Sequence, residues 1–272
     1  MDHPAFQSGR AAVITGAIGL AAAKWCARRG MNICMTDQKD KTLALARAEV
    51  ASIENVGEVL AVPADVADLA TLKDLNDSVR VAFGDVAFLM NNAIVRHGGG
   101  CLDEPGFWRD TLDIGIMGVV NGCQAFVPAM MKQVQPSLVV NAGSKQGITN
   151  PPGRPHYNVA KAAVKAYTEL LEHELRNTQG CKVSVHLMAP GFTRGGPDAD
   201  YPAGAWSPKQ LIDYLMPRLA RGDFYVICPD NEVTEAMDRT RTLWGAMDVT
   251  ENRPPLTRWH PDFKDAFAAF KP

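Results

Sequence analysis

The sequence predicts an α/β fold: a doubly wound parallel sheet of about seven strands, covered by helices on both faces to give three layers. Three observations predict it. Short apolar runs alternate with helix-period stretches, and the runs end on glycines, acids and asparagines, the usual composition of turns at a sheet's carboxyl edge. With 272 residues, 46% of them hydrophobic, the chain is long enough for one large domain with a full core. A single domain over 1–272 is therefore expected.

Taken in order, residues 10–15 form an apolar run that meets Gly16, and the alanine-rich stretch 18–29 ends at Gly30, a helix stop. The run 31–36 closes on Asp37 and is followed by a helical pattern over 42–53. A parallel pair joined by a crossover helix is the natural arrangement. Residues 59–62 lead to Asp65 and Val66, helix signals fill 68–82, and the run 86–90 leads to Asn91, Asn92 and Ala93. After Gly98, Gly99 and Gly100, a long apolar-periodic helix is predicted over 107–131; Gly115, Gly118 and Gly122 weaken it and suggest close packing against another helix. The run 138–143 reads as a buried strand ending at Ser144, a helix follows to about 178, and a sixth strand over 183–188 stops at Pro190 and Gly191. The texture then changes, since 193–208 is rich in Gly, Pro and Asp before a helical pattern over 209–220. A lid over about 192–222 is expected. A seventh strand over 224–228 and a last helix over 232–247 precede a tail, about 249–272, whose Trp259, Phe263, Phe267 and Phe270 suggest packing on its own body or a neighbour.

A net charge of −2 offers no basic field for nucleic acid and no polybasic membrane patch, so a small-molecule partner is favoured. The six cysteines are scattered, with no Cys-x-x-Cys pair and no cluster with histidine, so neither a metal site nor a disulfide framework is expected. No run of eighteen apolar residues and no leader pattern at Met1–Pro4 point to a membrane, and a cytoplasmic protein is expected.

The chemistry concentrates at 144–161. Tyr157 and Lys161 are four apart and share a face if the stretch is helical. An ammonium held near a phenol favours the phenolate, so such a pair can trade protons near neutrality. Ser144, at the end of its strand, would face them across a cleft.

With these residues in order along the chain, the sequence resembles the short-chain dehydrogenase/reductase superfamily over roughly 8–248. The resemblance rests on Thr15-Gly16, Asp37, Asp65-Val66, Asn91-Asn92-Ala93, Ser144, Tyr157 with Lys161, and Pro190-Gly191. It implies a Rossmann-like fold and an oxidoreductase that interconverts a secondary alcohol and a ketone. Tyr157 would be the general acid/base, Lys161 would assist it and bind the nicotinamide ribose, and Ser144 would hydrogen-bond the substrate oxygen. Cofactor contacts would come from Thr15, Gly16, Ile18, Gly19, Asp37, Asp65, Val66, Asn91, Ala93, Tyr157, Lys161, Pro190, Gly191 and Thr193. The carboxylate of Asp37 would repel a 2′-phosphate, favouring NAD(H) over NADP(H). Aromatics at Phe192, Trp206, Tyr214, Phe224 and Tyr225 suggest an apolar or aromatic substrate. Family members commonly pair through two long helices, here 107–131 and 154–178, the second with a small-residue surface at Ala160, Ala162, Ala163 and Ala166; a homodimer or homotetramer is expected.

The chain departs from the family in three places. The turn Thr15-Gly16-Ala17-Ile18-Gly19-Leu20 is about three residues shorter than the family's glycine turn, which predicts weak cofactor binding. Ile94 stands where a glycine commonly follows Asn91-Asn92-Ala93. Gly115 stands where the family usually has a relay asparagine; it leaves room for water, and Asn121 is too far along the helix to replace it. These departures leave two alternatives, a lyase or isomerase using Tyr157 without a dissociable cofactor, and a non-catalytic binding protein.

Overall fold

The computed structural model describes residues 2–16, 19–95, 97–195 and 201–271. Within them the strands are β1 (Ala11–Thr15), β2 (Asn32–Thr36), β3 (Val59–Ala61), β4 (Val86–Asn91), β5 (Ser137–Ala142), β6 (Val183–Pro190) and β7 (Tyr225–Cys228). They form one parallel sheet in the order β3-β2-β1-β4-β5-β6-β7. The order reverses between β1 and β4, so a crevice opens at their carboxyl ends, where ligands bind in sheets of this kind.

The helices are α1 (Gly19–Ala27), α2 (Asp40–Ala51), α3 (Leu69–Phe83), α4 (Pro105–Leu112), α5 (Gly118–Met130), α6 (Gln146–Thr149), α7 (Pro155–Arg176), α8 (Pro208–Ala220), α9 (Glu235–Thr250) and α10 (Lys264–Ala269). Their starts follow local chemistry. Asp68 caps α3 by accepting from Ala70 N–H, Thr234 caps α9 by accepting from Met237 N–H, and Ser207 with Gln210 forms a capping box on α8.

Strand residues split by parity between two cores, one on each face. Ile14, Phe88, Met90, Leu138 and Met188 point to the layer holding α1, α2 and α8. Val13, Leu89, Val139 and Leu187 point to the layer of α3, α5 and α7. Burial on both faces is why the strands read as continuous apolar runs rather than alternating ones.

The predicted helix over 107–131 is in fact two helices joined by one π-helical turn, Asp113–Met117. Pro105–Met130 is long and apolar enough to cross a membrane by composition, yet half of its most apolar window is buried within the protein. Gly115, Gly118 and Gly122 make close approaches, only one of them to another helix. A Cβ on Gly115 would lie 3.2 Å from Ala160 Cβ of α7, whereas one on Gly118 would press on Val66, and one on Gly122 would overlap the Asn91 side chain.

One further expectation changes, and another is met. The lid cannot extend to 222, because Leu211, Ile212, Leu215, Met216 and Leu219 of α8 are core residues. What remains is 192–207, closed at its base by pairing of Thr193 with Trp206; residues 196–200 of that segment lie outside the described residues. The tail packs on its own body: Trp244 of α9 meets Phe267 and Phe270, each at 5.3 Å between ring centroids, and its Nε1 donates to Thr257 Oγ1 at 2.8 Å.

Candidate active site

The local sequence places Ser144, Tyr157 and Lys161 at one point. Ser144 follows β5, and its Oγ accepts from Gln146 N–H at 3.1 Å, leaving the hydroxyl proton to donate outward. The single turn α6 then lies directly on α7; a Cβ on Gly147 would overlap the Lys161 backbone, so only glycine allows this approach. Pro155 occupies the first turn of α7, where its missing N–H is not needed. Asn158 Nδ2 donates to Pro151 O at 2.6 Å and Asn150 Oδ1 at 3.0 Å, tying the preceding loop to the helix.

Tyr157 and Lys161 lie one turn apart on the buried face of α7. Lys161 Nζ donates to Ala142 O at the end of β5 at 2.6 Å, fixing the ammonium beneath the strand end. His156 is fully buried; its Nδ1 accepts from Tyr157 N–H at 3.1 Å, so Nε2 carries the proton toward Gly98 O at 3.2 Å.

Ser144 and Tyr157 line one cleft of about 410 Å³ together with Pro190, Gly191 and Thr193. The rest of its wall was not foreseen. Lys145, Arg154, Arg241 and Arg258 line it against a single carboxylate, Asp230, and Trp259 and Phe192 add aromatic surface. Lys145 Nζ pairs with buried Asp238 at 2.5 Å. Burial pushes the Asp238 carboxyl up, opposed by Lys145 and then Arg241. Burial and the neighbouring charge of Arg241 hold the Arg258 guanidinium down to about 10. Arg258 sits over Trp259, at 4.6 Å from the ring centroid. The only sequence signal for this wall was the aromatic density of the tail.

Of the aromatics expected around a substrate, Phe192 alone lines the cleft. Trp206 donates to Asn231 Oδ1 and packs on Tyr214, Arg218 covers the Tyr214 ring, and Phe224 packs on Tyr225, whose hydroxyl donates to Glu169.

The remaining predicted residues lie at the β1–β4 crevice and beside it. Thr15 Oγ1 accepts from Asn92 N–H at 2.8 Å and Ala93 N–H at 2.9 Å, locking the ends of β1 and β4 together. Gly16 has φ +78°, and a Cβ there would lie 2.9 Å from Ala93 Cα, so the turn needs glycine twice over. Gly19 N–H donates to Gly16 O at 3.0 Å and begins α1 directly; Ala17 and Ile18 lie outside the described residues. Gly16, Gly19 and Asp37 line a second cavity of about 250 Å³. Asp65 accepts from Ala67 N–H, and Val66 is buried. Asn91 turns its side chain inward, donating to Asn141 Oδ1 at 2.9 Å, which leaves only its backbone for a ligand. Asn121 donates to Val66 O and Ala67 O, both at 3.0 Å, and so ties α5 to the chain after β3. Gly115 offers less room for water than expected, because Ala160 closes on it.

A family model described as short chain dehydrogenase matches residues 10–202. The "CLA biosynthesis dehydrogenase/reductase" of Lactiplantibacillus plantarum is 29% identical over 185 residues, 66% of this chain and 64% of that protein, so the match spans a little under two thirds of the relative's length. Among solved structures, a short chain dehydrogenase/reductase from Burkholderia phymatum in complex with NAD superposes with a TM-score of 0.82 at 27% identity, covering 92% of this chain and 97% of that one. A metagenomic short-chain oxidoreductase in complex with NADP superposes with a TM-score of 0.68 at 25% identity, covering 82% and 98%. The residues present here fit such a dinucleotide. The bare backbone of Gly16 and Gly19 opens on a cavity, and the Asp37 carboxylate lines the same cavity.

Proposed function

The chain belongs to the short-chain dehydrogenase/reductase family, an NAD(P)-dependent class of oxidoreductases, and from that premise we propose that it interconverts a secondary alcohol and a ketone with Tyr157 as general acid/base. The observation that carries the proposal is the shared cleft of Ser144 and Tyr157, with Lys161 anchored one turn behind them. In the reducing direction Tyr157 gives its phenolic proton to the carbonyl oxygen, and in the oxidising direction it takes that proton back. Ser144 donates its free hydroxyl proton to the same oxygen and so stabilises the charge developing there. Lys161, one turn along the same buried face of α7, assists the proton exchange at Tyr157. The nicotinamide, when bound, supplies or accepts the hydride.

For that cofactor, Gly16 and Gly19, with Ile18 between them in the sequence, would hold the pyrophosphate, Asp37 would bind the adenosine ribose, and Asp65 and Val66 would contact the adenine. Thr15, through its bonds to Asn92 and Ala93, and Asn91 shape the crevice. Lys161 would bind the nicotinamide ribose, and Pro190, Gly191 and Thr193, which line the cleft, would hold the carboxamide. The Asp37 carboxylate favours NAD(H), since it would meet the 2′-phosphate of NADP(H).

A homodimer or homotetramer fits the exposed apolar side chains along α4, the π-helical turn and α7: Phe107, Met117, Val159 and Leu170. Ala162 and Ala166 are exposed there, whereas Ala160 is consumed inside the protomer. Six free thiols suit the cytoplasm. The deciding experiment measures reduction of a panel of ketones with NADH and with NADPH. Turnover with NADH at the higher kcat/KM supports the reading. Equal or better use of NADPH overturns the role of Asp37, and no turnover with either overturns the reaction.

A further inference from the structure

Arg241 on α9 and Arg258 in the tail line the same cleft as Ser144 and Tyr157, and among the described residues neither has a hydrogen bond or ion pair to a carboxylate. Arg258 is half-buried over the Trp259 ring, and Phe267 is 5.7 Å away on centroid measure. A guanidinium withdrawn from water without a counter-charge is unfavourable, and two side by side repel each other. The nearby acids do not resolve this. Asp238 attracts both arginines but gives its ion pair to Lys145 at 2.5 Å, and Asp230 Oδ1 is engaged by Glu232 N–H and Val233 N–H at 3.0 and 2.7 Å. The cleft therefore holds an excess of positive charge at a place where two planar forks can grip one oxyanion. Phe192 and Trp259 supply apolar surface in the same wall.

We propose that Arg241 and Arg258 form a carboxylate-binding subsite, so that the substrate is a keto acid or hydroxy acid whose apolar middle lies against Phe192 and Trp259. The identity of the reacting carbon rests on the oxidoreductase reading above; the anion subsite does not. A half-buried site built to bind an anion discriminates against the neutral analogue, because the analogue leaves the guanidiniums unpaired.

The test compares 4-acetylbenzoate, 3-acetylbenzoate and levulinate with their methyl esters on the full-length protein. Wild type, Arg241→Met, Arg258→Met and Arg258→Lys are each followed by thermal shift and by NADH-dependent reduction. The subsite predicts that at least one free acid raises Tm while its ester does not, that either methionine substitution removes that shift, and that Arg258→Lys keeps part of it. It also predicts an acid-over-ester ratio in kcat/KM of about tenfold or more, carried by KM, collapsing toward one in the methionine variants. No shift from any acid, equal shifts for acid and ester, or a shift that survives both methionine substitutions overturns the subsite. If an acid binds as described but none is reduced, the subsite stands and the oxidoreductase reading fails.

Discussion

At the β1–β4 crossing the polar side chains are spent on the protein itself. Thr15 accepts from Asn92 and Ala93, Asn91 donates to Asn141, and Asn141 donates to Thr168, whose hydroxyl donates to Val164 O. Around β5 and β6 the pattern reverses: the free proton of Ser144, the phenol of Tyr157 and the guanidiniums of Arg241 and Arg258 face a cleft. Buried polar groups that satisfy one another fix the backbone, whereas groups left facing open space are available to a ligand. The first set positions the site and the second acts in it. Substitutions in the two sets should separate stability from activity.

The largest effect is expected from Tyr157→Phe. One hydroxyl is lost from the cleft while the ring keeps its packing, so kcat/KM should fall by roughly 10²–10⁴-fold with Tm almost unchanged. Activity and thermal melts on the same preparations check it. Wild-type turnover would remove Tyr157 from the acting set.

Next comes Gly147→Ala, which tests whether the acting groups depend on close backbone approach. The added Cβ would overlap the Lys161 backbone, so α6 must move off α7 and carry Ser144 with it. A displacement of about 1 Å can cost roughly a hundredfold in rate, and overpacking typically costs about 1–3 kcal/mol in stability. Activity and Tm should fall together, unlike in Tyr157→Phe. Normal turnover in this variant would show that α6 can shift freely.

This same contrast explains what was legible in the sequence. The strands could be read because a sheet buried on both faces demands continuous apolar runs, and the run ends fell at the crevice. Ser144, Tyr157 and Lys161 could be read because helix periodicity sets their spacing within one local stretch. Arg241 and Arg258 could not, since they meet only when the tail folds back on α9. Tyr214 and Tyr225 were misassigned for a related reason. Aromatic character announces burial without direction, and these side chains turn to Arg218 and Glu169 instead. The π-helical turn at Asp113–Met117 left no mark except Gly115, whose neighbour Ala160 lies far along the chain.

Asn91→Ala probes the positioning set. It removes the donor to Asn141 Oδ1 inside a fully buried network, which should destabilise the protein by about 1–3 kcal/mol, a drop in Tm of roughly 3–10 °C. Below that temperature, kcat/KM should stay within a few-fold of wild type. Thermal melts and assays at 25 °C separate the two readouts. A lost rate with unchanged Tm would place Asn91 among the acting residues.

The smallest effect concerns His186 of β6, a polar group satisfied inside the fold but still titratable. Its Nδ1 faces the carbonyl oxygen of Asp223 at 2.9 Å and so carries the proton, leaving Nε2 to accept from Ser184 Oγ at 3.2 Å. Burial lowers its pKa below the ordinary 6.5, against the opposing pulls of the Asp223 carbonyl, Glu172 and the Asp223 charge. His3, near enough to feel its charge, is lowered as well, chiefly by burial. Above about 6.5 both folded and unfolded chains hold these rings neutral, and the native contribution is fully present. As pH falls through that value, the unfolded chain takes up protons first, and stability declines until the folded pKa is passed. Tm should therefore drop between pH 7 and about pH 5, less steeply in His186→Gln, whose amide can make the same two hydrogen bonds without titrating. The drop should be smaller than that of Asn91→Ala, because a protonated Nε2 can donate to a turned Ser184 hydroxyl and the Nδ1 bond to Asp223 O is kept, so no bonded partner is removed. Melting curves of wild type and His186→Gln across that range check it; parallel pH profiles would mean that His186 keeps the same proton affinity in both states.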